Sequence, residues 1–256
     1  MSKRILFFVT ESLKFYKLKT DFLANSLFLF ILPLCVLSAF LPLFVEDMLL
    51  HLGIEFIAAT LVNIAAMAYV FAFVRDLKNE TTAFASVFGF LKKRFFSILP
   101  AALLFSLFEL PRAAFIKYLS PIMDDYDLIF NDIVGSSLVS AAYLLYELLL
   151  LLLFLVYIFT FSNISDKGDN IVAALKNSRK MTKGKRPAIF IIFLIFNIVI
   201  NSIAILVSIF TDMFGSGIAA IVSSGFVGAV AALMKHRLWS LLYYAAHYSK
   251  NSEAGS

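Results

Sequence analysis

Residues 136–161 read SSLVSAAYLLYELLLLLLFLVYIFTF, a run in which Glu147 is the single charged side chain. A helix of about 20 apolar residues crosses ~30 Å of hydrocarbon, so this run is long enough to span a bilayer. It lacks the period-two alternation of a barrel strand. A segment crossing lipid alone must also satisfy its own backbone hydrogen bonds, which leaves the helix as the only conformation that fits. Working outward, five more windows share this character: Phe22 to Val45, Ile54 to Val74, Ser97 to Ile116, Pro187 to Phe210, and Gly217 to Met234. The pattern predicts an all-α polytopic membrane protein, one integral membrane domain over 1–256 with six transmembrane helices at 22–45, 54–74, 97–116, 136–161, 187–210 and 217–234.

Composition agrees. The chain is 61% apolar and 15% charged, whereas about a quarter of the residues of a soluble domain are charged. Its 29 phenylalanines suit lipid-facing helices better than one small soluble core. The formal net charge of +5 would indicate a nucleic-acid partner only if the basic residues formed a patch, and their placement is topological instead. A single cysteine, Cys35, sits inside an apolar run and supports neither a disulfide framework nor a thiolate metal site. The apolar stretch from Ile5 to Val9 is too short for a signal-peptide core and no cleavage site follows it, so the first long segment is read as a retained span.

Lys and Arg concentrate in alternate connections. They fall at Lys3, Arg4, Lys14, Lys17 and Lys19; at Arg75, Lys78, Lys92, Lys93 and Arg94; at Lys167, Lys176, Arg179, Lys180, Lys183, Lys185 and Arg186; and at Lys235, Arg237 and Lys250, which is 20 of the 22 in the chain. The intervening connections carry Glu46 and Asp47, then Asp124, Asp125, Asp127 and Asp132 with Lys117, then Asp212. Because cytoplasmic loops retain positive charge, this alternation predicts an integral protein of the cytoplasmic (inner) membrane with both termini inside.

Each pair of spans follows a basic stretch that reads as an amphipathic, interfacial helix: 3–19, 82–96 and 170–183. In the first, Ile5, Leu6, Val9, Leu13 and Tyr16 recur at helical spacing. In the third, Asp169 or Asn170 caps the start, Ile171, Ala174, Leu175 and Ser178 share a face, and Gly184 with Pro187 marks the stop. The whole is three units of amphipathic helix plus hairpin. Residues 235–248 read as a further interfacial segment, in which Lys235, His236 and Arg237 meet headgroups and Trp239, Tyr243, Tyr244 and Tyr248 form an aromatic belt. Lys176, Arg179, Lys180, Lys183, Lys185 and Arg186 are candidate contacts for anionic lipid headgroups, the expected partner, or for a membrane or cytoplasmic protein.

Around residues 173–193, the string Ala-Leu-Lys-Asn-Ser-Arg-Lys-Met-Thr-Lys-Gly-Lys-Arg followed by an apolar run resembles a recurrent segment of bacterial six-pass families. These are the YciC-like membrane proteins and the membrane domain attached to some glycerophosphoryl diester phosphodiesterases, both largely uncharacterised. Ala174, Leu175, Ser178, Lys183 and Gly184 match their alanine-leucine-x-x-serine helix and lysine-glycine turn. The resemblance implies a shared fold and carries over no catalytic residue, since the phosphodiesterase chemistry belongs to a separate soluble domain.

Ionisable groups inside a bilayer are functional candidates by default. Glu109 and Arg112 lie on one face of the third span toward the outer leaflet, close enough to pair, with Pro111 between them. Glu147 stands mid-span among Tyr143, Tyr146 and Tyr157. Asn63, Asn197 and Asn201 add polar contacts near mid-membrane, equally well read as interhelical packing. In the sixth span Ser216, Ala220, Ser224, Gly228 and Ala232 recur every fourth position beside Gly217, Gly225 and Ala229, a spacing that permits close helix contact. His51, His236 and His247 are too scattered to converge on zinc. No phosphate-binding loop, nucleophile elbow or metal motif occurs, and no cofactor is expected.

Two functions follow from this reading. The first is a non-enzymatic membrane component that regulates, scaffolds or assembles other machinery through its basic helices. The second is a small-molecule or lipid transporter with a cavity among spans three to five holding Glu109, Arg112, Glu147 and Asn197. A third, a lipid-modifying enzyme, lacks a convergent nucleophile or metal site. Oligomeric state is open.

Overall fold

A computed structural model describes residues 2–19, 21–114, 133–213 and 217–248, which are helical throughout apart from short connections. In chain order the helices are α1 (Ser2–Leu13), α2 (Asp21–Phe44), α3 (Met48–Leu77), α4 (Phe84–Lys93), α5 (Phe95–Ala114), α6 (Ile133–Tyr157), α7 (Thr160–Lys167), α8 (Ile171–Thr182), α9 (Arg186–Met213) and α10 (Gly217–His247). Five segments among the described residues are long and apolar enough to cross a membrane, or six if the bent pair α4 and α5 counts as one span. The all-α polytopic class is therefore shown. The expected third span, 97–116, is the bent case: α5 meets α4 at 82°, and residues 115 and 116 lie outside the described set.

The four basic segments gather at one end of the bundle. Lys19 donates to Asn79 Oδ1 at 3.1 Å, Lys185 to the Ala246 carbonyl at 3.0 Å, and Lys78 pairs with Asp166. This grouping is what alternating connections require. At the same end the bundle is packed most densely. Ala65 to Val74 of α3 are buried in all but one position, and Leu233 to Tyr243 of α10 in all but Lys235, the signature of helices enclosed on every side. Tyr69 and Phe73 pack with Leu23, Ile31 and Leu233; Leu238, Trp239 and Tyr243 pack with Phe159 and Ile189; Phe105 and Phe161 pack with Ile98 and Ala101.

This burial corrects the reading of 235–248 as an interfacial segment. Gly217 to His247 is one continuous helix, and Trp239 and Tyr243, expected in an aromatic belt, belong to the protein core. The α1 helix likewise covers only the start of the 3–19 stretch. Its Val9 and Ser12 are buried against α9 and α10, while Leu6 and Phe7 remain exposed. The 82–96 stretch holds the ten-residue α4, whose Val87 and Phe90 face inward with Phe90 stacked on Phe71 at 4.3 Å, and whose Phe84 and Phe88 face outward.

The quoted run 136–161 is also not one helix. It breaks between α6 and α7, and α8 repairs the break. The Ser178 hydroxyl accepts from the Phe159 amide at 3.1 Å and donates to the Val156 carbonyl at 2.9 Å. The amide would otherwise be orphaned in a buried place, and the carbonyl would keep only the longer bond from the Thr182 hydroxyl at 3.4 Å. The alanine-leucine-x-x-serine motif thus has a local cause: Ala174 and Ser178, both 0% exposed, let α8 approach closely enough to stitch the break. Asn170 caps α8 by accepting from the Ala173 amide at 2.9 Å. Gly184 turns out of α8 at φ +78° with open space around its α-carbon, so conformation and not crowding demands glycine there. At Gly168, φ +68°, a β-carbon would also collide with the Arg94 guanidinium.

Candidate functional site

Away from the dense end, the helices separate around two cavities. The larger, about 640 Å³, lies between α2, α3, α5 and α10 and is lined by Cys35, Glu55, Asn63, Ala220, Ser224, Gly228 and Ala232 among others. The second, about 460 Å³, lies between α5, α6, α9 and α10 and is lined by Glu147, Asn197, Asn201, Phe154 and Trp239. Glu109 and Lys235 line both. Their side chains approach to 3.3 Å, so an ion pair forms the partition between the cavities. The Lys235 ammonium also lies over the Trp239 and Phe154 rings at 5.2 and 5.9 Å from their centroids, which adds a cation–π attraction.

This pair bears on two expectations. Glu109 was placed toward the outer leaflet and Lys235 among cytoplasmic headgroups, yet the two touch. The helix rise of ~1.5 Å per residue resolves this. Glu109 lies about 21 Å of helix from the α4–α5 bend, and Lys235 about 18 Å from the end of α10, so both stand at one level well inside the bundle. Glu109, expected beside Arg112, is paired with Lys235; the Arg112 side chain lies outside the described residues.

The remaining candidates divide. Glu147 accepts from the Tyr143 hydroxyl at 2.7 Å, and the Tyr146 hydroxyl reaches across to the Phe108 carbonyl of α5 at 2.5 Å. Asn197 donates to the Phe193 carbonyl one turn back at 2.8 Å, and Asn201 is exposed on the cavity side of α9. Asn63 bonds Ser106 Oγ at 2.9 Å, a buried contact between α3 and α5. It joins packing to a cavity wall.

The small-residue row was read as a helix-packing face. Ser216 lies outside the described residues, and Ala220, Ser224, Gly228 and Ala232 instead wall the larger cavity. The close approach falls one position over. At Gly225 a β-carbon would stand 2.6 Å from Val36 Cα of α2, whereas at Gly228 it would meet only Cys35, at 3.8 Å. Small residues thus serve both purposes here, on adjacent stripes of α10.

On the basic helix α8 and the turn after it, Lys176, Arg179, Lys180 and Lys183 are exposed, while Lys185 and Arg186 are partly covered. Sequence reasoning missed a second polar centre. Asp166 accepts from Lys78, from Tyr243 Oη at 2.8 Å and from Tyr248 Oη at 2.8 Å. Burial pulls the Lys78 pKa down, but hydrogen bonds to Asp166 and Tyr248 outweigh it and hold the ammonium above its usual range. Arg237, 5% exposed, donates to the carbonyls of Glu11 at 2.8 Å and Lys17 at 2.7 Å, with its guanidinium 4.1 Å from the Phe73 ring centroid. These centres are structural locks at the packed end. Among the described residues no group of three His, Cys, Asp or Glu side chains is placed to hold a metal ion.

A scan against protein-family models and searches of curated proteins and of solved structures find no match to the chain.

Proposed function

We propose that this chain is a non-enzymatic membrane protein that takes an amphiphilic molecule, a lipid or lipid-like solute, into the paired cavities flanking Glu109 and Lys235. The observation that carries this reading is convergence. Glu109, Glu147, Asn197 and Asn201 from three helices line one cavity with Lys235, and the larger cavity continues from the same ion pair along walls of small and apolar residues. Polar groups in hydrocarbon are costly to retain, and packing alone does not require them to border empty volume. A concave site, mostly apolar with a few convergent polar groups, is what a ligand pocket needs.

A bacterial cytoplasmic membrane with both termini inside is part of the proposal; the resemblance to bacterial six-pass families supports the membrane, and the alternation of basic connections with their gathering at one end supports the orientation. Extraction in mild detergent followed by native mass spectrometry tests the binding reading. The wild-type chain is expected to retain an amphiphile adduct that Ser224→Phe, which fills the larger cavity from its wall, reduces several-fold. Equal occupancy in both proteins, or no adduct in either, counts against it.

A second reading, a scaffold that docks partners, has one specific support. Lys176, Arg179, Lys180 and Lys183 present an exposed basic face on α8 and its exit turn, suited to anionic headgroups or an acidic protein surface at roughly 1 kcal/mol per charge. Recovery of a stoichiometric protein partner that is lost when these four are changed to Gln is the expected result under that reading.

A further inference from the structure

We infer that the partition between the cavities is a headgroup site for a zwitterionic amphiphile carrying a phosphate and an ammonium; this rests on the amphiphile-binding reading. Beside the Glu109–Lys235 pair stand two polar atoms that are buried and lack a hydrogen-bond partner among the described residues: His236 Nδ1 and Trp239 Nε1. His236 is 1% exposed and borders the larger cavity; Trp239 is 3% exposed and borders the smaller. The Lys235 ammonium, which lines both cavities between these two residues, only donates, so it calls for an oxygen-rich anionic group, as a phosphoryl group is.

The carboxylates decide what accompanies that anion. Glu109 and Glu147 border the same cavity as Lys235, so a ligand bearing negative charge alone would add to two acidic groups in a low-dielectric space. A zwitterion avoids this. Its phosphate takes Lys235 while its ammonium takes the carboxylate that Lys235 releases, so one internal ion pair is exchanged for two complementary ones at no change in net charge. Exchange of partners, unlike separation of the pair, leaves no buried charge uncompensated. Behind the headgroup, the larger cavity offers Ala58, Ala59, Val62 and Ile221 as apolar lining for an acyl chain.

The chain contains one tryptophan, so Trp239 reports on its own site. Purified full-length protein in maltoside micelles is titrated with dihexanoyl phosphatidylethanolamine while indole emission is recorded. Dihexanoyl phosphatidylglycerol, an alkyl trimethylammonium and soluble phosphoethanolamine serve as anionic, cationic and chain-free comparisons. A saturable change is expected with phosphatidylethanolamine, at least tenfold weaker with the anionic and cationic amphiphiles, and weaker still with phosphoethanolamine. Lys235→Gln and Glu109→Gln are each expected to weaken it about tenfold. Saturation at equal affinity by all three amphiphiles overturns the headgroup assignment and leaves the cavity reading standing; saturation by none overturns both. Phosphoethanolamine binding as tightly as the lipid overturns the amphiphile. The headgroup series uses the unaltered chain, so it decides the matter even where a variant fails to fold.

Discussion

The two ends of the bundle are built on different terms. At the basic end, α3 and α10 are enclosed on every side, and polar groups are tied to partners far away in sequence: Arg237 to Glu11 and Lys17, Asp166 to Lys78 and Tyr243. At the opposite end Leu43, Phe44, Leu49, Leu206, Phe210 and Met213 are all exposed, and the helices diverge around the cavities. Lipid tails solvate leucine as well as leucine does, so no hydrophobic force draws the helices together there. Cohesion must come from the packed end, and the helices of the open end are free to separate. That division of labour predicts that single changes are costly at one end and cheap at the other.

The largest effect is expected at Arg237. Arg237→Met keeps the bulk against Phe73 but orphans the Lys17 carbonyl, leaves the Glu11 carbonyl with the Lys14 amide alone, and removes the cation–π contact. At about 1–3 kcal/mol for the unsatisfied carbonyl and about 1–2 kcal/mol for the cation–π contact, the loss is about 2–5 kcal/mol. Because those carbonyls belong to the end of α1 and the chain after it, α1 should come loose. Limited proteolysis between residues 14 and 20 is expected to accelerate at least tenfold, and an unchanged cleavage rate would break the comparison.

Asp166→Asn comes next, at about 2–3 kcal/mol, since it leaves the Lys78 ammonium without its counter-charge and weakens two tyrosine hydrogen bonds. The ammonium is held above its usual range and the Asp166 carboxyl below its own, so this pair stabilises the fold fully around neutral pH. Its contribution fades as pH climbs through the raised value of Lys78 or falls through the lowered value of Asp166. Thermal unfolding in detergent should therefore show a constant gap between wild type and variant from pH 6 to 9. A gap that closes within that window would mean that the lysine is not the group held.

Ser178→Ala is smaller, about 1–2 kcal/mol, for the Phe159 amide left unmatched at the α6–α7 break and the Val156 carbonyl left with the Thr182 hydroxyl alone. Hydrogen exchange is the sharper measurement. The Phe159 amide should lose protection while Ala173, capped by Asn170, does not; protection retained at Phe159 would show that the break is held by packing alone.

How far the sequence foretells this structure follows the same line. The long apolar helices were legible because span length and composition are local, and so were the Asn170 cap and the Gly184 turn. The α6–α7 break was not, since Val156 to Phe161 is as apolar as the helix before it and the repair comes from Ser178. The role of 235–248 misled for a related reason: lysine and arginine followed by tryptophan and tyrosines compose both an interfacial belt and a buried core. Glu109 and Lys235 are 126 residues apart, and only the helix arrangement brings them level. Local rules found Glu109 as a candidate and did not foresee Lys235 beside it.

The smallest effect is expected where lipid, not protein, completes the contacts. Leu206 is 58% exposed in the open half of α9. In a water-soluble core Leu→Ala costs roughly 2–5 kcal/mol, because both transfer free energy and a cavity are involved. Here neither applies: the removed methyl groups leave hydrocarbon for hydrocarbon, and acyl chains flow into the space. Leu206→Ala should change unfolding free energy in bicelles by under about 0.5 kcal/mol. Leu233→Ala, in the enclosed stretch of α10 at 0% exposure, should approach the full cost in the same bicelles. The ratio of the two measures how unequal the ends are. Equal losses would mean that the open half is covered by protein, and would assign Leu206 to an interface instead of to lipid.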